Sequence, residues 1–168
     1  VISGDPPSWE TSTTNPDSPA NDLFVTDQDG VSEKEAISRS ITINSAAPVI
    51  SFRNNYSTEF DATTFWDGYV LEVSVNGGGF VDVTDPSIGG TFVSGPYTGE
   101  IDATAGNPLA GQMAWSGDSG GYINTVINLG SSLNGQTIKL RFRMGTDELT
   151  AAPGARVDGL SIAGGSCP

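Results

Sequence analysis

The sequence predicts an all-β fold, an antiparallel sandwich of two sheets. Three observations point there. Apolar and polar residues alternate along one short run after another. Clusters of Gly, Pro, Asn, Asp and Ser separate those runs. Asn76-Gly77 stands between two alternating runs, and both residues suit the positive φ that a two-residue hairpin turn requires. About eight short strands divided by turns fit a sandwich better than any helical or mixed class.

Residues 1–22 carry Pro6, Pro7, Pro16 and Pro19 among Ser, Thr and Asn. Proline removes a donor and restricts its predecessor, so this reads as an irregular arm with a short strand, packed through Val1, Ile2 and Trp9. Asp27-Gln28-Asp29-Gly30 is a turn. Ser32–Ser38 is the one helix-friendly stretch, about two turns at most. Strands follow at Ala36–Ile43, at Val49–Tyr56 with Ile50, Phe52 and Asn54 on one face, and at Tyr69–Val75 with Tyr69, Leu71, Val73 and Val75 on one face. The Asn76–Gly79 turn leads to Phe80–Val83. Thr84–Gly121 is long and rich in Gly and Pro; such a segment is functional or holds short strands. The last third holds strands at Gly121–Leu129, Gln136–Met144 and Arg156–Ile162. In the second, Ile138, Leu140, Phe142 and Met144 oppose Lys139, Arg141 and Arg143, which would pair with acids such as Glu72 or Asp82 across the sheet. Glu72, out of phase with Leu71 and Val73, is expected to face outward.

Composition narrows the function. The chain has 168 residues, with 20 Asp and Glu, 7 Lys and Arg, no His and a formal charge of −13. That length suits one domain spanning 1–168. Without histidine, Ser–His and Cys–His nucleophiles and His-bound metals are excluded. The charge opposes nucleic acid and anionic membrane surfaces, because both need clustered Lys and Arg. It suits hard cations with oxygen ligands. No apolar run is long enough to span a membrane, and no signal-peptide pattern opens the chain. The first residue is Val1, not Met, and the expectation is a monomeric module cut from a longer secreted or surface protein of bacterial type. Cys167 is the single cysteine, so no internal disulfide forms; a thiol at a frayed end and a partner cysteine elsewhere both stand open.

Several segments occur in a familiar order: Trp9, Asp22-Leu23-Phe24, Ile50-Ser51-Phe52-Arg53-Asn54-Asn55-Tyr56, Asp67-Gly68-Tyr69-Val70-Leu71-Glu72-Val73-Ser74, the region of Trp115, and Arg156-Val157-Asp158-Gly159-Leu160-Ser161-Ile162. Over most of 9–163 the chain resembles the accessory jelly-roll domains of bacterial secreted peptidases and cell-surface proteins, distant relatives of MAM domains. Typical MAM domains are disulfide-bonded and this chain is not, so that link is one of architecture. The resemblance implies a two-sheet jelly roll, a noncatalytic adhesive or targeting role, and a structural cation, often one that ties the amino-terminal arm to the final strand.

Calcium is the cation the composition suits. An EF-hand at Asp27-Gln28-Asp29-Gly30 fails on register: with Gly30 sixth, Val25 and Ala36 occupy the first and twelfth ligand positions. The candidate ligands are Asp5 and Asp22 in the arm, Asp67 before a strand, and Asp158 in the final strand. Trp66, Tyr97 and Trp115 are candidate contacts to a glycan or protein surface, with packing at the ends of the sandwich as the alternative. A neighbouring domain of the parent chain is the other expected partner. Two further readings stay open. One is a spacer or secretion-related module without its own ligand. The other is a hydrolase using paired carboxylates among Glu59, Asp61, Asp67 and Glu72.

Overall fold

The computed structural model describes residues 2–4 and 7–167. In chain order the strands are β1 (Glu10–Ser12), β2 (Asp22–Val25), β3 (Ser32–Ile37), β4 (Ile41–Ile43), β5 (Val49–Ser57), β6 (Gly68–Val75), β7 (Phe80–Asp82), β8 (Thr91–Ser94), β9 (Gly99–Glu100), β10 (Met113–Ala114), β11 (Ile123–Asn128), β12 (Thr137–Thr146), β13 (Gly154–Ala163) and β14 (Gly165–Ser166). One 3-10 turn, Ser131–Leu133, completes the set, and the described residues form no α-helix. None of their helices is long and apolar enough to cross a membrane.

One sheet runs β1-β2-β13-β5-β11-β8 and the other β14-β4-β12-β6-β7, with β3 also on β12; β9 and β10 form a separate pair. All these ladders are antiparallel. The two large sheets share one core. Phe52 of β5 meets Phe142 of β12 edge-on at 5.4 Å between ring centroids. Along β5 every second residue is buried, which puts Ile50, Phe52, Asn54 and Tyr56 inside. β6 is buried on both faces over most of its length; on its outer side Arg141 and Arg143 of β12 cover Glu72. The expected hairpin is present: Asn76 and Gly77 have φ of 51° and 79° and join β6 to β7.

Two local expectations are corrected. Ser32–Ser38 is not helical. It forms β3, where Ser32 and Lys34 are buried while Glu33 and Glu35 are half-buried, and ladder bonds to β12 override the helix propensity of Glu-Lys-Glu-Ala. Nor is Ala36–Ile43 one strand. Ser38 turns its hydroxyl onto the Leu140 amide at 2.9 Å, and the run breaks into β3 and β4 there. The Thr84–Gly121 segment resolves into β8, β9, β10 and tight turns.

The arm is fastened by packing and polar contacts. Trp9 lies against Tyr69 and Phe142 at 5.7 and 5.8 Å. Farther on, Asp158 accepts from the Ser18 amide at 2.7 Å.

Candidate metal centre

Four acids converge at one end of the molecule, each just beyond or just before a strand. Asp27 follows β2, Glu59 follows β5, Asp67 precedes β6 and Asp147 follows β12. The antiparallel pairing explains the convergence. Gly145 of β12 pairs with Gly68 of β6, so the end of one strand lies beside the start of the other. β13 plays the same part for β2 and β5, pairing Ala155 with Val25 and Gly154 with Ser57. Asp27 and Glu59 therefore come from one sheet, and Asp67 and Asp147 from the other.

One ligand oxygen from each of Glu59, Asp67 and Asp147 lies within 4.8 Å of the others. Asp67 is completely buried, Asp27 is 1% exposed and Asp147 is 4% exposed. The carboxylates are fixed largely by one another's backbones. Asp27 Oδ2 accepts from the Glu59 amide at 2.9 Å. Asp67 Oδ1 accepts from the Asp147 amide at 2.6 Å and from Asn107 Nδ2 at 3.1 Å. Asp147 Oδ1 accepts from the Leu149 amide at 2.8 Å. No donor reaches the buried oxygens Asp27 Oδ1, Asp67 Oδ2 and Glu59 Oε2.

Buried polar atoms are ordinarily paired, so orphan oxygens on Glu59 and on the facing pair Asp27 and Asp67 call for a positive group. The electrostatics agree. Burial first, and then the facing Asp27 carboxyl, push the Asp67 carboxyl up to about 10. Burial also raises Asp27. Glu59 is raised by burial and by the charge of Asp147. Lys34 pulls Asp27 the other way, more weakly. Either a proton or a cation must sit between Asp27 and Asp67. An all-oxygen donor set without His or Cys is that of a hard cation.

Of the expected ligands among the described residues, the structure brings Asp67 alone into this cluster. Asp22 instead pairs with Arg156 at 2.8 Å and accepts from the Tyr122 hydroxyl at 2.7 Å. Asp158 is occupied by the Ser18 amide and hydroxyl and by the Gly159 amide. Neither joins the cluster, and the carboxylates of both are met by protein groups. Asp5 lies outside the described residues. In the sequence Glu59 reads as one of several acids available for a carboxylate pair and Asp27 as a turn residue, and Asp147 carries no signal of its own.

The aromatic candidates also separate. Trp115 is fully buried, 5.0 Å from Tyr69 and 4.6 Å from Tyr97 between ring centroids, and its Nε1 donates to the Gly95 carbonyl. Tyr97 is 9% exposed and its hydroxyl donates to Asp82. Both rings therefore follow the packing alternative and are corrected as ligand contacts: a core between two sheets takes the largest rings first. Trp66 remains half-buried.

Comparison with protein-family models gives no match, and comparison with curated proteins gives none either.

Proposed function

We propose that this chain is a noncatalytic accessory module, of jelly-roll topology, from a secreted or surface bacterial protein, and that a structural Ca²⁺ holds one end of it together. The reading rests on two facts together: Glu59, Asp67 and Asp147 bring carboxylate oxygens within 4.8 Å of one another, and Asp27 Oδ1, Glu59 Oε2 and Asp67 Oδ2 are buried with no donor. Glu59, Asp67, Asp147 and Asp27 would hold the ion. It would neutralise them and clamp the two sheets through strand ends from both. A fully buried Asp67 suits an ion that holds structure better than one that meets substrate.

Calcium binds the folded chain and not the unfolded one, so it adds roughly 2.7 kcal/mol at a hundred times its Kd. For a domain of this size that is about 5–10 °C in Tm. Thermal unfolding in excess chelator and in millimolar calcium tests it; identical melting curves would overturn the reading.

The outward role is adhesion or support of a neighbouring domain through a glycan or protein surface. Burial of Trp115 and Tyr97 favours the spacer reading over glycan binding, because it leaves Trp66 as the one expected contact with exposed area. Polysaccharide pull-down of the wild type and Trp66→Ala decides between them. Retention lost in the variant supports a binding module, and no retention of either supports a spacer.

A further inference from the structure

The inference concerns Asn107 and rests on the cation reading above. Asn107 lies in the long segment between β9 and β10 and is 3% exposed. Every polar atom of its side chain is committed. Oδ1 accepts from the Leu109 amide at 2.8 Å, which fixes the orientation of the side-chain amide. Nδ2 then faces three oxygens: the Trp66 carbonyl at 2.7 Å, the Gly145 carbonyl at 3.0 Å and Asp67 Oδ1 at 3.1 Å. The backbone makes room for it. A Cβ on Gly145 would lie 2.4 Å from Asn107 Oδ1 and 2.9 Å from Leu109 Cγ.

These contacts act on Asp67. Its Oδ1 takes two donors, the Asp147 amide and Asn107, while Oδ2 takes none. We propose that Asn107 is the positioning residue of the metal centre, holding Asp67 so that the single oxygen Oδ2 is presented to the cation. By sharing its two Nδ2 protons among the Trp66 carbonyl, the Gly145 carbonyl and Asp67 Oδ1, Asn107 also ties the start of β6 to the end of β12, beside which Asp67 and Asp147 stand. Groups that orient a metal's ligands typically change affinity by roughly 10–100-fold when removed.

The test is calcium titration calorimetry on the wild type and Asn107→Ala, with melting of both in chelator. Weakening of calcium binding by roughly 10–100-fold in the variant supports the proposal. A merely structural role would lower the Tm in chelator and leave the calcium Kd of the folded variant within about twofold of wild type, and that result overturns it. If Asn107→Ala does not fold, the wild type carries the test through the NMR signals of the Asn107 side-chain amide. A calcium-dependent shift of both protons supports the proposal, and their indifference to calcium overturns it. Failure of the wild type itself to bind calcium would sink the underlying cation reading, an outcome distinct from normal binding by the variant.

Discussion

Two acid-rich regions of this molecule solve the same problem in opposite ways. On the outer face of the β12 sheet, Glu72 is 4% exposed yet receives Arg141 Nε at 2.5 Å and Arg143 Nη1 at 2.8 Å. Glu35 and Glu33 close the lattice on the same two arginines, and Phe80 stacks on Arg141 at 4.4 Å. At the end of the sandwich, Asp27, Glu59, Asp67 and Asp147 meet mainly backbone amides and each other. One cluster contains a full set of counter-charges; the other has only the weak pull of Lys34 on Asp27 and keeps carboxylate oxygens without a donor. Buried carboxylates therefore do not mark a ligand site by themselves. The absence of a donor at the remaining oxygens is what separates the second cluster from the first.

The sharpest way to break this contrast is Asp67→Asn. Its amide can keep the bonds from the Asp147 amide to Oδ1 and place a donor towards Asp27. Without calcium, the variant should melt higher than wild type, because folding no longer has to bury a carboxyl and hold it protonated; with calcium, the stabilisation of about 5–10 °C should vanish. A wild type that outlasts the variant in chelator contradicts the account. The metal-free wild type also carries a pH signature. Asp67, Asp27 and Glu59 have raised folded pKa values, so ionising them opposes folding. That penalty is absent below their ordinary values near 4 and grows as pH rises, towards about 10 for Asp67. Melting in chelator should be higher at pH 5 than at pH 8, and saturating calcium should remove the difference.

Glu72→Gln probes the self-sufficient cluster. It leaves two mostly buried arginines short of a partner while Glu35 and Glu33 remain, and should lower stability by about 1–3 kcal/mol. The loss should be the same with and without calcium, since nothing in this lattice calls for an ion. Differential scanning calorimetry in both conditions checks the equality.

The contrast also explains what could be read in advance. Strand alternation at Val49–Tyr56 and Tyr69–Val75, and the Asn76-Gly77 turn, are local signals, and the structure matches them. The β12 arginines and Glu72 were legible too, because period-two alternation puts them on one face of neighbouring strands. The metal cluster was not. Its members stand at the ends of four strands drawn from two sheets, and only pairing partners such as Gly145 with Gly68 bring them together. Asp67 was picked for its place before a strand. Asp147 and Asp27 have the same kind of placement, and a search for acids one or two residues beyond strand ends would have collected them. Trp115 sits among Gly and Ser that suit an exposed loop, but its ring packs on Tyr69 and Tyr97 and its Nε1 finds the Gly95 carbonyl, contacts that only the tertiary fold supplies.

The smallest effect concerns Asp158, a carboxylate satisfied in a third way, by the arm. Burial alone would raise its pKa, but the Ser18 amide and hydroxyl and the Gly159 amide outweigh that, and the net shift is downward. A depressed carboxylate stabilises the fold above its ordinary pKa of 3.8, and that contribution is lost as pH falls through the lower folded value. The Ser18 amide proton should therefore titrate below pH 3.8, and the arm around it should exchange faster once Asp158 is protonated. Asp158→Asn should cost about 1 kcal/mol at neutral pH and flatten the Ser18 titration without altering calcium affinity. An arm that tightens on acidification would show that Ser18 is held by something other than this charge. A change in calcium affinity would join Asp158 to the metal centre from which the structure separates it.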